Sequence, residues 1–352
     1  MKKALIIRLS SLGDVIFNIP LANVLKENGY EVSFITSEKG VDVIKDNPAV
    51  AKTFLVPTKK WKQNRPSIKN LFEYLSILRK IRAEHYDVAV DTHMMFKSFI
   101  WLKFCGAKRR ICYKFGKEFS NFGGNEKLKA GPREKYSVHA VFEHLLYAKH
   151  LGLKDADKVK FTLPASTSET KAKIDDLLKD IDKSKPLVII CPATTWRLKH
   201  WNKDNWKILV DSIKDKCTLV FSGTANDTDL ISYISEDKFL SLAGKTNIKD
   251  LIEVFSRADI VIAPDSGSAH LARATNIPAV ISIFTCTPPY RYGPFGDDKK
   301  YFAINGKLKC QPCHTRKCPL EGEDAEQCVN NPKPQEIINI VNNLLQNMKH
   351  SV

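Results

Sequence analysis

The chain has 352 residues, 43% hydrophobic and 27% charged, a balance that excludes disorder and fibrous repeats and, at roughly 100–200 residues per domain, points to two domains. The formal net charge is +16. Residues 1–164 hold 30 Lys and Arg against 16 Asp and Glu, a net +14, which leaves 25 against 23, or +2, for the rest.

So uneven a basic surface implies an anionic partner: nucleic acid, an anionic lipid surface or a phosphorylated substrate. Nucleic acid is disfavoured, because the chain has no zinc-finger, RNP or KH signature and no block of five like charges. No uncharged apolar run reaches the roughly 18 residues of a membrane span, residues 274–290 being broken by Pro278, Pro288 and Pro289. Arg8 follows only four apolar residues, so the opening does not read as a secretory signal. Nine cysteines, an odd number, suit reduced thiols and a cytoplasmic protein.

Taken in chain order, residues 3–9 read as a strand and 10–14 as a turn, with a helix over 15–28. Strands are expected over 31–36, 52–56 and 86–91, with helices over 40–46, 68–84 and 137–151, and 158–163 leading out of the lobe. Residues 165–186 are polar and read as an interdomain connection with one exposed helix. Strands then recur at 187–191, 217–222, 239–242, 260–263 and 279–284, with helices at 206–214, 227–234, 248–256 and 269–275, and a last helix spans 334–347. Alternating strands and helices predict parallel sheets covered on both faces. The predicted division is 1–164, 165–186, 187–333 and 334–352, the last helix being free to pack on either lobe.

Ligands of doubly wound sheets sit at the carboxyl ends of the strands, so the loops there carry the chemistry. Four stand out: Ser10-Ser11-Leu12-Gly13-Asp14; Asp91-Thr92-His93 through Lys97; Thr194-Thr195 with Lys199; and Asp265-Ser266-Gly267-Ser268-Ala269-His270. A Ser or Asp in such a turn is also an ordinary helix cap, worth about 0.5–2 kcal/mol. Hydroxyls, backbone N–H groups and an ammonium together suit a diphosphate.

The order RLSSLGD, DTHMMFKS, TTWRLKHW, DSGSAH and TPPYRYGPFG resembles the bacterial ADP-heptose:lipopolysaccharide heptosyltransferases of glycosyltransferase family nine. The resemblance implies a GT-B architecture: two doubly wound Rossmann-like lobes with an interlobe cleft, the first taking the acceptor and the second the nucleotide sugar. It makes Asp14 the catalytic base of an inverting, metal-independent transfer. Thr194, Thr195 and Lys199 would bind the donor diphosphate, with Lys199 also offsetting charge on the leaving ADP. Asp265 would contact heptose, Ser266, Gly267 and His270 would line the phosphate side, and Asp227 or Asp229 would meet the ribose. Lys97, His93, Arg109 and Arg110 would meet an anionic Kdo or heptose acceptor, a glycolipid at the inner face of the cytoplasmic membrane. Cys286 stands where the family commonly has glycine.

Cys310, Cys313, Cys318 and Cys328 suffice in number for one structural zinc, but their spacing lacks the paired C-x2-C pattern of strong zinc sites. Reduced structural cysteines or a disulfide fit better. The rival functions are a relative using another nucleotide sugar or another glycan or protein acceptor, and a non-catalytic protein that binds anionic surfaces.

Overall fold

The computed structural model describes residues 1–63, 67–116, 118–128 and 138–349. The chain divides into two compact units, Met1–Ala165 and Ser166–Val352.

In the first unit the chain runs β1 (Lys2–Ile7), α1 (Leu12–Ile16), α2 (Ile19–Glu27), β2 (Tyr30–Ser37), α3 (Val41–Ile44), β3 (Lys52–Val56), α4 (Thr58–Gln63) and α5 (Ile68–Arg82). It continues through β4 (Val88–Asp91), α6 (Phe96–Phe104), β5 (Arg109–Tyr113), β6 (Glu126–Leu128) and α7 (Ala140–His150). All strand pairs are parallel, in the order β3-β2-β1-β4-β5-β6. The run Ala4–Ile7 is apolar without alternation because helices cover both faces, and all four residues are buried. The helix expected over 15–28 is two helices: Pro20 lies in the first turn of α2, where its missing N–H costs no hydrogen bond.

The second unit runs α8 (Ser168–Leu177), β7 (Leu187–Ile190), α9 (Lys203–Ile213), β8 (Thr218–Phe221), α10 (Thr228–Ser235), β9 (Leu240–Ser241) and α11 (Ile248–Arg257). Then come β10 (Ile260–Pro264), α12 (Gly267–Thr275), β11 (Ala279–Phe284), α13 (Pro289–Tyr292), β12 (Tyr301–Asn305) and α14 (Pro334–Lys349). Its parallel sheet has the order β12-β11-β10-β7-β8-β9.

The stretch 165–186 is not a free connection. Its helix α8 packs on α11, burying Ile174 and pairing Asp175 with Arg257 at 2.6 Å and Lys173 with Asp250 at 2.5 Å. The last helix belongs to the second unit. Ile337, Val341, Leu344 and Leu345 of α14 form one stripe that packs on α9 in the cluster containing Trp201 and Trp206. Each such buried aliphatic is worth about 1.5–3 kcal/mol.

Both sheets share the Rossmann strand order, so each has one switch point where successive connections leave in opposite directions. That point lies between β1 and β4 in the first unit and between β7 and β10 in the second.

Candidate active site

The four loops singled out from the sequence follow β1, β4, β7 and β10, the four strands that flank the two switch points. In the first unit Ser11 caps α1, and Asp14 is its third helical residue. The Asp14 Oδ2 accepts from the Ser11 amide at 3.0 Å and the Ser11 hydroxyl at 2.8 Å. That cap alone would explain the residue, but the same oxygen also meets Arg8 Nη2 at 2.7 Å. Burial opposes ionisation of Asp14, yet the Arg8 guanidinium and the Ser11 bonds outweigh it and hold the carboxyl well below its usual range. Arg8 is oriented by the Ser10 carbonyl at 2.9 Å and by the Thr92 carbonyl.

The loop after β4 is organised by Asp91, which is fully buried. One oxygen accepts from the His93 and Met94 amides at 2.9 and 3.2 Å, and the other from the Ser98 hydroxyl at 2.8 Å. Burial pushes this carboxyl up to about 6 against those bonds. His93 is 6% exposed, its ring beside the Ser10 backbone. Burial, then the Arg8 and Lys97 charges, push its imidazole down to about 3, so the ring is neutral. Lys97 reaches the Ser10 hydroxyl at 3.4 Å, and its ammonium is pushed down by burial and neighbouring cations. Asp14, His93 and Lys97 therefore gather at one edge, with Arg8 among them.

Arg109 and Arg110 do not join them. They open β5, so they lie at the amino edge of the parallel sheet. Arg109 is bound there to Glu126 by two bonds of 2.7 and 2.9 Å, and Arg110 donates to the Ala107 carbonyl at 2.9 Å. The structure thus places these two arginines away from the edge that gathers Asp14, His93 and Lys97.

In the second unit Lys199 ends a short turn, Arg197–Lys199, and its ammonium meets Asp265 Oδ2 at 2.6 Å and lies 4.8 Å from the Trp196 ring centre. Asp265 is 2% exposed. It also accepts from the Thr287 hydroxyl at 2.7 Å and lies 3.4 Å from His270 Nε2. Burial again opposes the charge, but His270 and Lys199 overcome it and hold the carboxyl far below its usual range. Both oxygens of Asp265 are thus engaged by Lys199, Thr287 and His270. The Thr194 hydroxyl donates to the Asp265 carbonyl at 3.1 Å, His200 Nε2 lies 2.8 Å from the Thr194 carbonyl, and Thr195 is exposed.

Ser266 precedes α12, and its buried hydroxyl has no partner, beside the N–H groups that Gly267 and its neighbours present at the helix start. Asp227 turns one oxygen back on Thr224, accepting from its amide and hydroxyl, each at 2.7 Å, so it shapes the loop after β8. Arg8 and Thr287 were not anticipated, since the Asp265 partner of Thr287 is 22 residues away and Arg8 reaches the Thr92 carbonyl across 84 residues; Asp91 opens a loop that was singled out, but its role in organising that loop was not foreseen.

The nine cysteines are unpaired. Cys286 and Cys328 are buried with Leu198, and Cys313 and Cys318 pack against them, whereas Cys310 is exposed. Burial and the neighbouring thiols push the Cys328 thiol up to about 12. Among the described residues no group of three or more His, Cys, Asp or Glu side chains gathers to hold a metal ion.

The family profile described as Glycosyltransferase family 9 (heptosyltransferase) matches residues 74–323. Lipopolysaccharide heptosyltransferase 1 of Pseudomonas aeruginosa is 23% identical, covering 92% of this chain and 90% of that protein. The lipopolysaccharide core heptosyltransferase OpsX of Haemophilus influenzae is 24% identical, over 84% and 82%. Among solved structures, a family 9 glycosyltransferase from Veillonella parvula superposes with a TM-score of 0.79 at 18% identity, covering 98% of this chain and 97% of that one. The E. coli heptosyltransferase WaaC with ADP gives 0.73 at 18%, over 97% and 99%. The fold is therefore the GT-B fold of these enzymes.

Proposed function

Since the chain belongs to glycosyltransferase family 9, we propose that it transfers heptose from ADP-heptose to an acidic acceptor of the lipopolysaccharide inner core, Kdo or heptose. The transfer inverts the anomeric centre and uses no catalytic metal. The observation that carries this reading is the matched use of the two switch points: one presents a carboxylate with basic neighbours, the other a lysine with a helix start.

Asp14 takes the proton of the acceptor hydroxyl as its oxygen bonds to the anomeric carbon. The bond to the diphosphate breaks, and its electron pair leaves on ADP. Bound to Arg8 and Ser11, Asp14 is ionised but weakly basic. An acceptor hydroxyl that displaces those bonds restores its basicity where the proton moves. Lys97, with the neutral His93 ring beside it, receives the acceptor's anionic groups.

Lys199, already held in place by Asp265, offsets the charge developing on the departing diphosphate without reorganising. The Ser266 hydroxyl and the N-terminus of α12 add donors for the phosphates, with Thr194 and Thr195 alongside. Asp227 sits in the loop assigned to the ribose. We place the enzyme at the cytoplasmic face of the membrane, where such a glycolipid is assembled.

The test is transfer from ADP-heptose to a panel of soluble truncated core acceptors, with UDP-sugars as controls. Product carrying the inverted linkage, from the ADP donor alone, is expected. No transfer to any core acceptor, or equal transfer from UDP-sugars, would contradict the assignment.

A further inference from the structure

The first unit leaves large apolar side chains in water at the edge of the sheet that carries Asp14 and Lys97. Phe96 opens α6 directly before Lys97, is exposed, and stacks on Phe99 with ring centres 5.8 Å apart. The loop after β5 lies against the same helix, its Glu118 accepting from the Phe96 amide at 3.2 Å. There Phe119 and Phe122 lie 6.3 Å apart and are 72% and 62% exposed, and Phe115 is exposed too. The first turns of α5, which start from the same edge, add Ile68 and Phe72, again exposed.

Scattered single apolar residues need no explanation, but a group of phenylalanines and aliphatics at one edge of one unit does. Lysines are interleaved with them. Lys114 lies 5.4 Å from the Phe115 ring centre, Lys69 and Lys97 lie in the first turns of α5 and α6, and Lys62 lies in α4 just before α5, against Glu73 and Glu118. Glu73 is already matched by Lys60 at 3.0 Å.

We infer that this edge docks on an anionic lipid bilayer, the phenylalanines entering the headgroup region while the lysines meet lipid phosphates. Apolar burial and attraction to anionic lipid together set the strength of such peripheral binding. No described helix is long and apolar enough to cross a membrane, so attachment by this edge would be peripheral. The inference rests on the reading of the first unit as the acceptor side, because docking here presents Asp14 and Lys97 to the surface from which a glycolipid headgroup projects. A protein acceptor or a self-association interface would use aromatic residues as well, but neither calls for a surrounding excess of cations.

The test is co-sedimentation of the full chain with phosphatidylglycerol-containing vesicles and with purely phosphatidylcholine vesicles, none carrying acceptor. Binding to the anionic vesicles alone, weakened by salt, is expected. The triple variant Phe115→Ser, Phe119→Ser, Phe122→Ser should bind at least about tenfold more weakly. Lys69→Glu with Lys114→Glu should lose about fivefold or more per lysine. Both variants should keep wild-type transfer to a soluble acceptor, which also reports that they fold. Binding that neither set of substitutions weakens, equal binding to neutral vesicles, or no binding by the wild type would overturn the inference. So would a wild-type dimer that the triple variant dissolves without any vesicle binding. Loss of transfer to soluble acceptors by the wild type would instead count against the enzymatic reading and leave the vesicle result to stand by itself.

Discussion

The two units have the same strand order and place their informative loops at the same topological position, yet their charges are arranged differently. At the first switch point an Asp14 side chain that is 30% exposed faces Arg8, with His93 and Lys97 close by, so cations outnumber the carboxylate. At the second, Lys199 and Asp265 form one closed pair with side chains 17% and 3% exposed, and Thr287 and His270 complete the carboxylate's partners. One fold thus carries a partly open carboxylate and a closed, prepaired cation. Scaffold and chemistry separate cleanly, the first belonging to the strands and the second to a few loop side chains.

Breaking the closed half should have the largest effect on stability. Asp265→Ala leaves Lys199 without its carboxylate, and chemical denaturation should show a loss of about 3–5 kcal/mol. Replacing both residues at once, Asp265→Asn with Lys199→Met, should cost less than the single change; an additive loss would refute the closed pair. Lys199→Met alone should lower kcat/KM by about 10²–10³-fold through lost stabilisation of the leaving group, and an unchanged kcat/KM would remove Lys199 from the donor site.

The buried carboxylate of the first half sharpens the contrast through pH. Asp91 titrates near 6 when folded and near 3.8 when unfolded, so the unfolded chain releases its proton first and stability falls as pH rises from about 4 to 6. Relative to Asp91→Asn, the wild type should lose up to about 3 kcal/mol across that window and then stay level. A difference between the two proteins that is flat over the same range would contradict the burial argument.

The smallest effect is expected at the amino edge. Arg109→Ala removes a half-exposed ion pair worth under about 1 kcal/mol and should leave acceptor KM unchanged. A tenfold rise in KM would return Arg109 to the acceptor site.

Much of this was legible in the sequence because strands with both faces buried are bare apolar runs. The span 279–284 coincides with β11, buried at every residue, 52–56 matches β3 although that is a half-buried edge strand, and all four chemical loops follow the expected strands. What was not legible depends on contacts across the sheet. β5 begins with two arginines, β6 is three residues long, and α6 mixes aromatic and basic residues without a clear period, so none of the three stood out. Without β5 there was no means of telling that Arg109 and Arg110 lie at the amino edge. Arg8 read as the end of a strand, and only the fold brings it to the Thr92 carbonyl, 84 residues away, and to Asp14. Thr287 likewise reaches Asp265 across 22 residues. The segment 165–186 looked like a connection because α8 buries only Ile174 and attaches through ion pairs.

The central claim is that Asp14 is the base and the second unit alone holds the donor. The most direct measurement sets wild type and Asp14→Ala side by side, recording turnover with a soluble core acceptor and, by calorimetry, the Kd for ADP-heptose. The account predicts that the variant loses at least about 10²-fold in kcat while its Kd for the donor stays the same. Turnover retained in Asp14→Ala, with the donor bound as before, would contradict it.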